Sequence, residues 1–185
     1  MKHVNYLKST VFITLIFTVA VFSPCRAQSA SEITQKSQNA LQQLCSVNKA
    51  ARHLRSSAKA ILVFPEIYKA GFIFGVQHGE GALLSHGNPI RYYRTSAASY
   101  GMQAGVQRFG YAMFFMNNED LTYIRETHGW EFGTGPSIVI VDEGIARTIS
   151  TTTLQKGVYV FTFDQQGLMA GLGLQGSKIT PFTPQ

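Results

Sequence analysis

Charge is scarce in this chain of 185 residues. Only 14% of them are Asp, Glu, Lys or Arg, while 45% are hydrophobic. That balance excludes a highly charged disordered chain and suits a well-buried fold. Cysteine is scarcer, with Cys25 and Cys45 alone, so no disulfide framework is available and the fold must stand on its core. No low-complexity linker and no repeat of fixed period divides the chain, whose length suits one domain. A G-x-S-x-G nucleophile elbow is absent. Long apolar runs are missing too. Val11–Phe22 is twelve residues, within the ~7–15 of a signal core and short of the ~20 that cross a bilayer.

That run reads as part of a secretory signal. Lys2 and Lys8 precede it, and Cys25-Arg26-Ala27 places small residues for cleavage after Ala27. The expected mature chain starts at Gln28, leaving residues 28–185 as a single domain. An uncleaved anchor and a lipoprotein signal at Cys25 are the alternatives, and Pro24 fits the second poorly. Cys45 would then be unpaired, and a structural role as a small buried hydrophobe is expected.

Residues 31–58 contain neither Gly nor Pro. Ile33, Ser37, Ala40, Leu41, Leu44, Val47, Ala51, Leu54 and Ala58 recur at helical steps, with Ser31 as N-cap. The spacing predicts one amphipathic helix. Its polar face turns basic toward the end, at Lys49, Arg52, Arg55 and Lys59, the last three sharing a face at i, i+3, i+7. Residues 31–59 carry five Lys or Arg and one Glu, whereas residues 60–185 carry eight against nine acids. The positive excess of the mature chain therefore sits on this segment. A solvated face is one reading and contact with anionic lipid is the other.

From residue 60 onward the pattern is mostly strands. Ala60–Phe64 is apolar and interrupted by Pro65, Gly71–Val76 follows, and turns are expected through Gly79 and Gly81 and at Ser85–Pro89. Further strands are expected at Ile90–Thr95, Ser99–Arg108, Gly110–Met116, Trp130–Phe132, Ser137–Val141, Ile145–Leu154, Val158–Phe163 and Leu168–Leu174. A turn is expected at Asp164–Gly167. Tyr159, Phe161 and Phe163 alternate onto one face. Asn117–Thr127 reads as a short helix, with Asn117 or Asn118 as cap and Glu119 and Asp120 in its first turn. The expected class is α+β: a strongly bent antiparallel sheet, closing toward a barrel, covered by the N-terminal amphipathic helix, with a second short helix. A two-sheet sandwich is the alternative.

Several motifs fail on context. Gly171-Leu-Gly-Leu-Gln-Gly176 matches G-x-G-x-x-G but leaves no room for the helix that a dinucleotide site needs. His78-Gly79-Glu80 lacks the cysteine pair of a zinc deaminase. His78 and His86 across a hairpin, with Glu80 nearby, form a metal candidate, as does His128 with Glu126 and Glu131; surface turn histidines are the commoner case. Asp142-Glu143 reads as a turn with at most weak Ca²⁺ affinity. Ser99 and Ser137 are flanked by strand residues. Nucleic acid is not an expected partner, because basic residues are not interleaved with aromatics. No cofactor and no metal are expected.

Five blocks carry a resemblance. They are KAILVFPEIYKAGFIFGVQHGEGALL at Lys59–Leu84, SYGMQAGVQ at Ser99–Gln107, YAMFFM at Tyr111–Met116, the glycines and Trp130 of Gly129–Gly133, and QQGLMAGLGLQGSKIT at Gln165–Thr180. In this order they resemble the SYLF domain, over roughly residues 30 to 181. The resemblance implies a non-enzymatic module that binds acidic phospholipid through its N-terminal amphipathic region, here the segment ending at Lys59. Exported to the periplasm or beyond, such a protein would associate peripherally with a membrane. Eukaryotic relatives bind actin, so an envelope protein partner without direct lipid contact is the second reading, and a hydrolase the third.

Overall fold

A computed structural model describes residues 28–71, 74–100, 105–127, 129–131, 135–141, 157–167 and 177–185. Helix α1 spans Ala30–Val47 and α2 spans Lys49–Ser57. Strands β1 (Ala60–Gly71), β2 (Phe74–Ser85), β3 (Asn88–Tyr100) and β4 (Gly105–Phe115) follow. Next come α3 (Asn118–Glu126), β5 (Trp130–Glu131), β6 (Ile138–Ile140), β7 (Val158–Gly167) and β8 (Lys178–Phe182). The eight strands form one sheet in the order β5-β8-β3-β2-β1-β4-β7-β6. It curls strongly into a half-barrel, so the class is α+β as expected. The sheet is mixed rather than purely antiparallel, because β6 runs parallel to β7.

The expected single helix is two. Nothing in residues 31–58 breaks a helix by composition; the break comes from capping. The Asn48 N–H donates to Leu44 O at 2.9 Å, closing α1, while its Oδ1 accepts from Ala51 N at 3.0 Å, opening α2. One residue thus serves both ends, its backbone closing α1 and its side chain opening α2. At the start, Ser29 rather than Ser31 is the N-cap, its hydroxyl accepting from Glu32 N. The break also turns the apolar stripe. Ile33, Ser37, Leu41, Leu44 and Cys45 are buried on α1, and Ala50, Ala51 and Leu54 on α2, but Val47 at the corner is 79% exposed.

Pro65 does not end β1. The register shifts between Val63 and Glu66 toward β2, and between Phe64 and Ile67 toward β4. This bulge accommodates a residue with no N–H inside a central strand. Ser37 of α1, itself buried, donates its hydroxyl to Val63 O at 3.2 Å, so the helix docks on the bulge. Gly79 and Gly81 are not turns either; both lie within β2. A Cβ at Gly81 would overlap Val63 O and press on the Phe64 ring. Glycine here serves close approach of β2 to β1. Likewise Asp164–Gly167 continues β7 instead of turning.

Two apolar clusters flank the sheet. On the helix side, Ile61, Val63, Ala82, Leu84, Ala112, Phe114, Tyr159 and Phe161 pack under α1 and α2, with Phe163 beside them. The opposite face gathers Leu62, Phe64, Ile67, Tyr93, Phe109, Tyr111, Met113 and Phe115 against Ile124 of α3 and Trp130. The α3 boundaries follow the expected caps, with Asn117 Oδ1 accepting from Asp120 N at 2.8 Å. The leader Met1–Ala27, the expected strands Ile145–Leu154 and Leu168–Leu174, the glycine motif at 171–176, Asp142-Glu143 and His128 all lie outside the described residues.

Candidate functional site

The basic segment folds into the α1–α2 corner and the start of β1. Lys49, Arg52 and Arg55 project from α2, exposed to solvent. Lys59 is exposed as well, but α2 ends at Ser57, so the i, i+3, i+7 face does not extend to it. Its backbone is fixed instead: Lys59 N donates to Phe115 O at 2.8 Å, and Lys59 O accepts from the Ser85 hydroxyl at 3.3 Å. None of the four has an acidic partner among the described residues. Elsewhere the pairing is mixed, since Lys69, Arg91 and Lys178 of the sheet also lack an acidic partner among the described residues while other cations have one. Arg94 pairs with Glu80 at 3.0 Å, and Arg108 and Lys36 pair with Glu66 at 2.9 and 3.6 Å.

Arg52 has a structural task that its spacing did not reveal. Its Nε donates to Cys45 O at 2.8 Å and its Nη2 to Ser46 O at 2.7 Å. It thereby satisfies the last carbonyls of α1 and sets a positive charge at that helix's negative end. Arg55 lies close to the Cys45 thiol. Burial pushes that thiol up from its ordinary value, and Arg55 and then Arg52 pull it down by less. A buried, protonated thiol is the inert kind, in line with the structural role expected for Cys45. Beside Arg55 a cavity of ≈ 140 Å³ opens between α1, α2 and the β2–β3 turn, with Ser56 and His86 on its wall. The turn is held in place by Gln38, whose Nε2 donates to Gly87 O at 2.8 Å.

The apolar residues that flank the basic ones are committed to the core. Ile33, Leu41, Leu44 and Leu54 are buried against the sheet. In this docked state α2 presents its charged face to solvent beside Val47 of α1, not its apolar stripe. None of the described helices is long and apolar enough to cross a membrane.

The histidine pair does not assemble. His78 sits opposite Tyr68 and Ser96 in mid-sheet, whereas His86 is in the β2–β3 turn eight residues further on. At ~3.3 Å per residue that is about 26 Å. His78 Nε2 lies 3.9 Å from Glu80 Oε1, and Arg94 already holds that carboxylate. Among the described residues no group of three metal-ligating side chains occurs. Ser137 lies just ahead of β6, and the backbone of Ser99 is part of β3.

The sequence reading missed a second surface. Phe74, Val76 and Val106 are 74%, 65% and 62% exposed at the far end of the sheet from α2. Their strand parity was the available signal. Phe74, Val76, His78 and Glu80 fall on one face of β2, while Gly75, Gln77, Gly79 and Gly81 fall on the other.

The chain matches no protein-family model, and comparison with curated proteins found no matching relative.

Proposed function

We propose that this chain is a peripheral binding module for anionic phospholipid, exported to the periplasm or beyond, and that Lys49, Arg52, Arg55 and Lys59 face the lipid. The observation that carries this reading is the clustering of cations at the α1–α2 corner and the start of β1. Lys49, Arg52, Arg55 and Lys59 lie close together in sequence there with no acidic partner among the described residues, whereas the other cations without one, Lys69, Arg91 and Lys178 of the sheet among them, are scattered. Exposed Val47 among them adds an apolar contact, and the cavity beside Arg55 adds depth for a headgroup. Each Lys or Arg near an anionic surface contributes roughly 1 kcal/mol, so four give reversible association at most. The resemblance to the SYLF domain supports the same ligand class. The reading involves no catalytic step, cofactor, metal or nucleic acid.

Vesicle sedimentation tests this. The mature protein should bind vesicles containing phosphatidylserine and bind neutral vesicles much less, with affinity falling as salt rises. Replacing Arg52, Arg55 and Lys59 together with Gln should remove about 3 kcal/mol at most. Since Arg52 also closes α1, circular dichroism must show the variant folded. A Lys49/Arg55/Lys59→Gln set, which spares that contact, provides the control. Unchanged binding by both folded variants would refute the basic end as the lipid site and favour an envelope protein partner.

A further inference from the structure

The exposed end of the sheet is graded by depth. On the helix side, the outermost cross-strand row is Ala98–Val76–Ala70–Val106, running over β3, β2, β1 and β4. All four are exposed, and Phe74 stands beyond them. Two residues inward the row is Ser96–His78–Tyr68–Arg108, followed by Gln166 on β7. A further two inward come Arg94, Glu80 and Glu66, the ion-paired row. Lys69, on the other face, lies at the depth between the first two rows. From the tip inward the chemistry is therefore purely apolar, then amphipathic aromatic with long cations, then paired ions.

The geometry points to the lipid bilayer as the occupant of this end, with the Val76–Val106 row at the headgroup–hydrocarbon boundary. The polarity profile of the three rows complements that of a bilayer. Tyr belongs at the interface, and Arg and Lys reach from there toward headgroups along their apolar stems. Backbone pairing meets the second requirement for the two inner strands of the row. β1 lies between β2 and β4, and β2 between β1 and β3, so residues 68–71 and 74–77 sit in strands that already have neighbours on both sides. Strand ends paired in this way can enter an apolar phase with little exposed backbone polarity. These two inner strands offer no free edge on which a partner's strand could pair. This contact does not rest on the basic end, and it differs in kind: it needs neither anionic lipid nor low salt.

A Val76→Trp reporter in the otherwise unchanged protein reads the contact directly, because Trp130 is buried and supplies a constant background. With phosphatidylcholine vesicles its emission should shift to the blue, equally at low and high salt. Trp at Ile90, an exposed position at the opposite end of β3, should not shift. A Val76→Asp/Val106→Asp variant should partition into the same vesicles about tenfold less well. It should still bind anionic vesicles at low salt through the basic end. No shift at Val76→Trp, or equal partitioning of the Asp variant, would overturn the inference while leaving the basic-end reading intact. So would a concentration-dependent dimer in sedimentation velocity, without lipid, that the Asp variant abolishes, because a second copy would then cover the row.

Discussion

The helix side of the sheet is two surfaces on one set of strands. In the half near α2, Ile61, Val63, Ala82, Leu84, Ala112 and Phe114 are buried beneath the helices. In the far half the same strands and the same face present Tyr68, Val76 and Val106 to solvent. Local sequence separates them only in part, since Val76 and Val106 of the far half are as apolar as Val63 and Ala82 of the near half. The border is the row of Glu66, Glu80 and Arg94, where Arg108 from the next row and Lys36 of α1 both reach Glu66. Burial there is decided by where α1 begins, not by strand propensity. An apolar residue on this face is core if a helix lies over it and exposed if none does.

The sharpest way to probe the contrast is to truncate one apolar side chain in each half. Phe114→Ala should cost about 3–5 kcal/mol, because a large buried ring leaves a cavity. Val76→Ala should stay within about 0.5 kcal/mol. Chemical denaturation of both variants checks this, and comparable losses would mean the far half is also covered in solution. A smaller effect tests the cover itself. Asn48→Ala removes the side-chain cap of α2 and should cost about 1 kcal/mol. It should also increase amide exchange in α2 before the rest of the fold. Uniform exchange would show instead that α2 does not open as a separate unit. Least of all should come from the border. Glu66→Gln unpairs Arg108 and leaves Lys36 only its pair with Glu32, both cations being partly exposed, and should cost about 0.5 kcal/mol, less at high salt. A loss that does not diminish in salt would mean the row acts through packing.

Much of this was legible where a local signal had a single cause. Asn117 followed by Glu119 and Asp120 gave α3, and alternation put Tyr159, Phe161 and Phe163 on the helix side. Charge segregation placed a cluster of cations on the segment before β1. Illegible features had causes remote in sequence. Asn48 reads as an ordinary helix-surface residue until both ends of the helix pair are seen to need it. Pro65 reads as a breaker because the bulge that tolerates it depends on β2 and β4. Gly81 reads as a turn because what forbids a side chain there is the carbonyl of Val63, eighteen positions earlier. The exposure of Val47 and of the Val76–Val106 row depended on where the helices stop.

The strand order also bears on when the molecule can finish folding. β8, at Lys178–Phe182, slots between β3 and β5, and among the described strands β5 pairs only with β8. A chain emerging from its N-terminus can assemble β1 to β4 early, since β1–β2 and β2–β3 are neighbours in sequence. It cannot seat Trp130 on Ile179 until residue 179 has emerged. Closure is therefore a late, long-range event, of the kind that slows folding toward milliseconds or seconds. Until it happens the β3 edge stays open for pairing with another chain, so a partly made molecule exposes that edge for as long as its last strand is delayed.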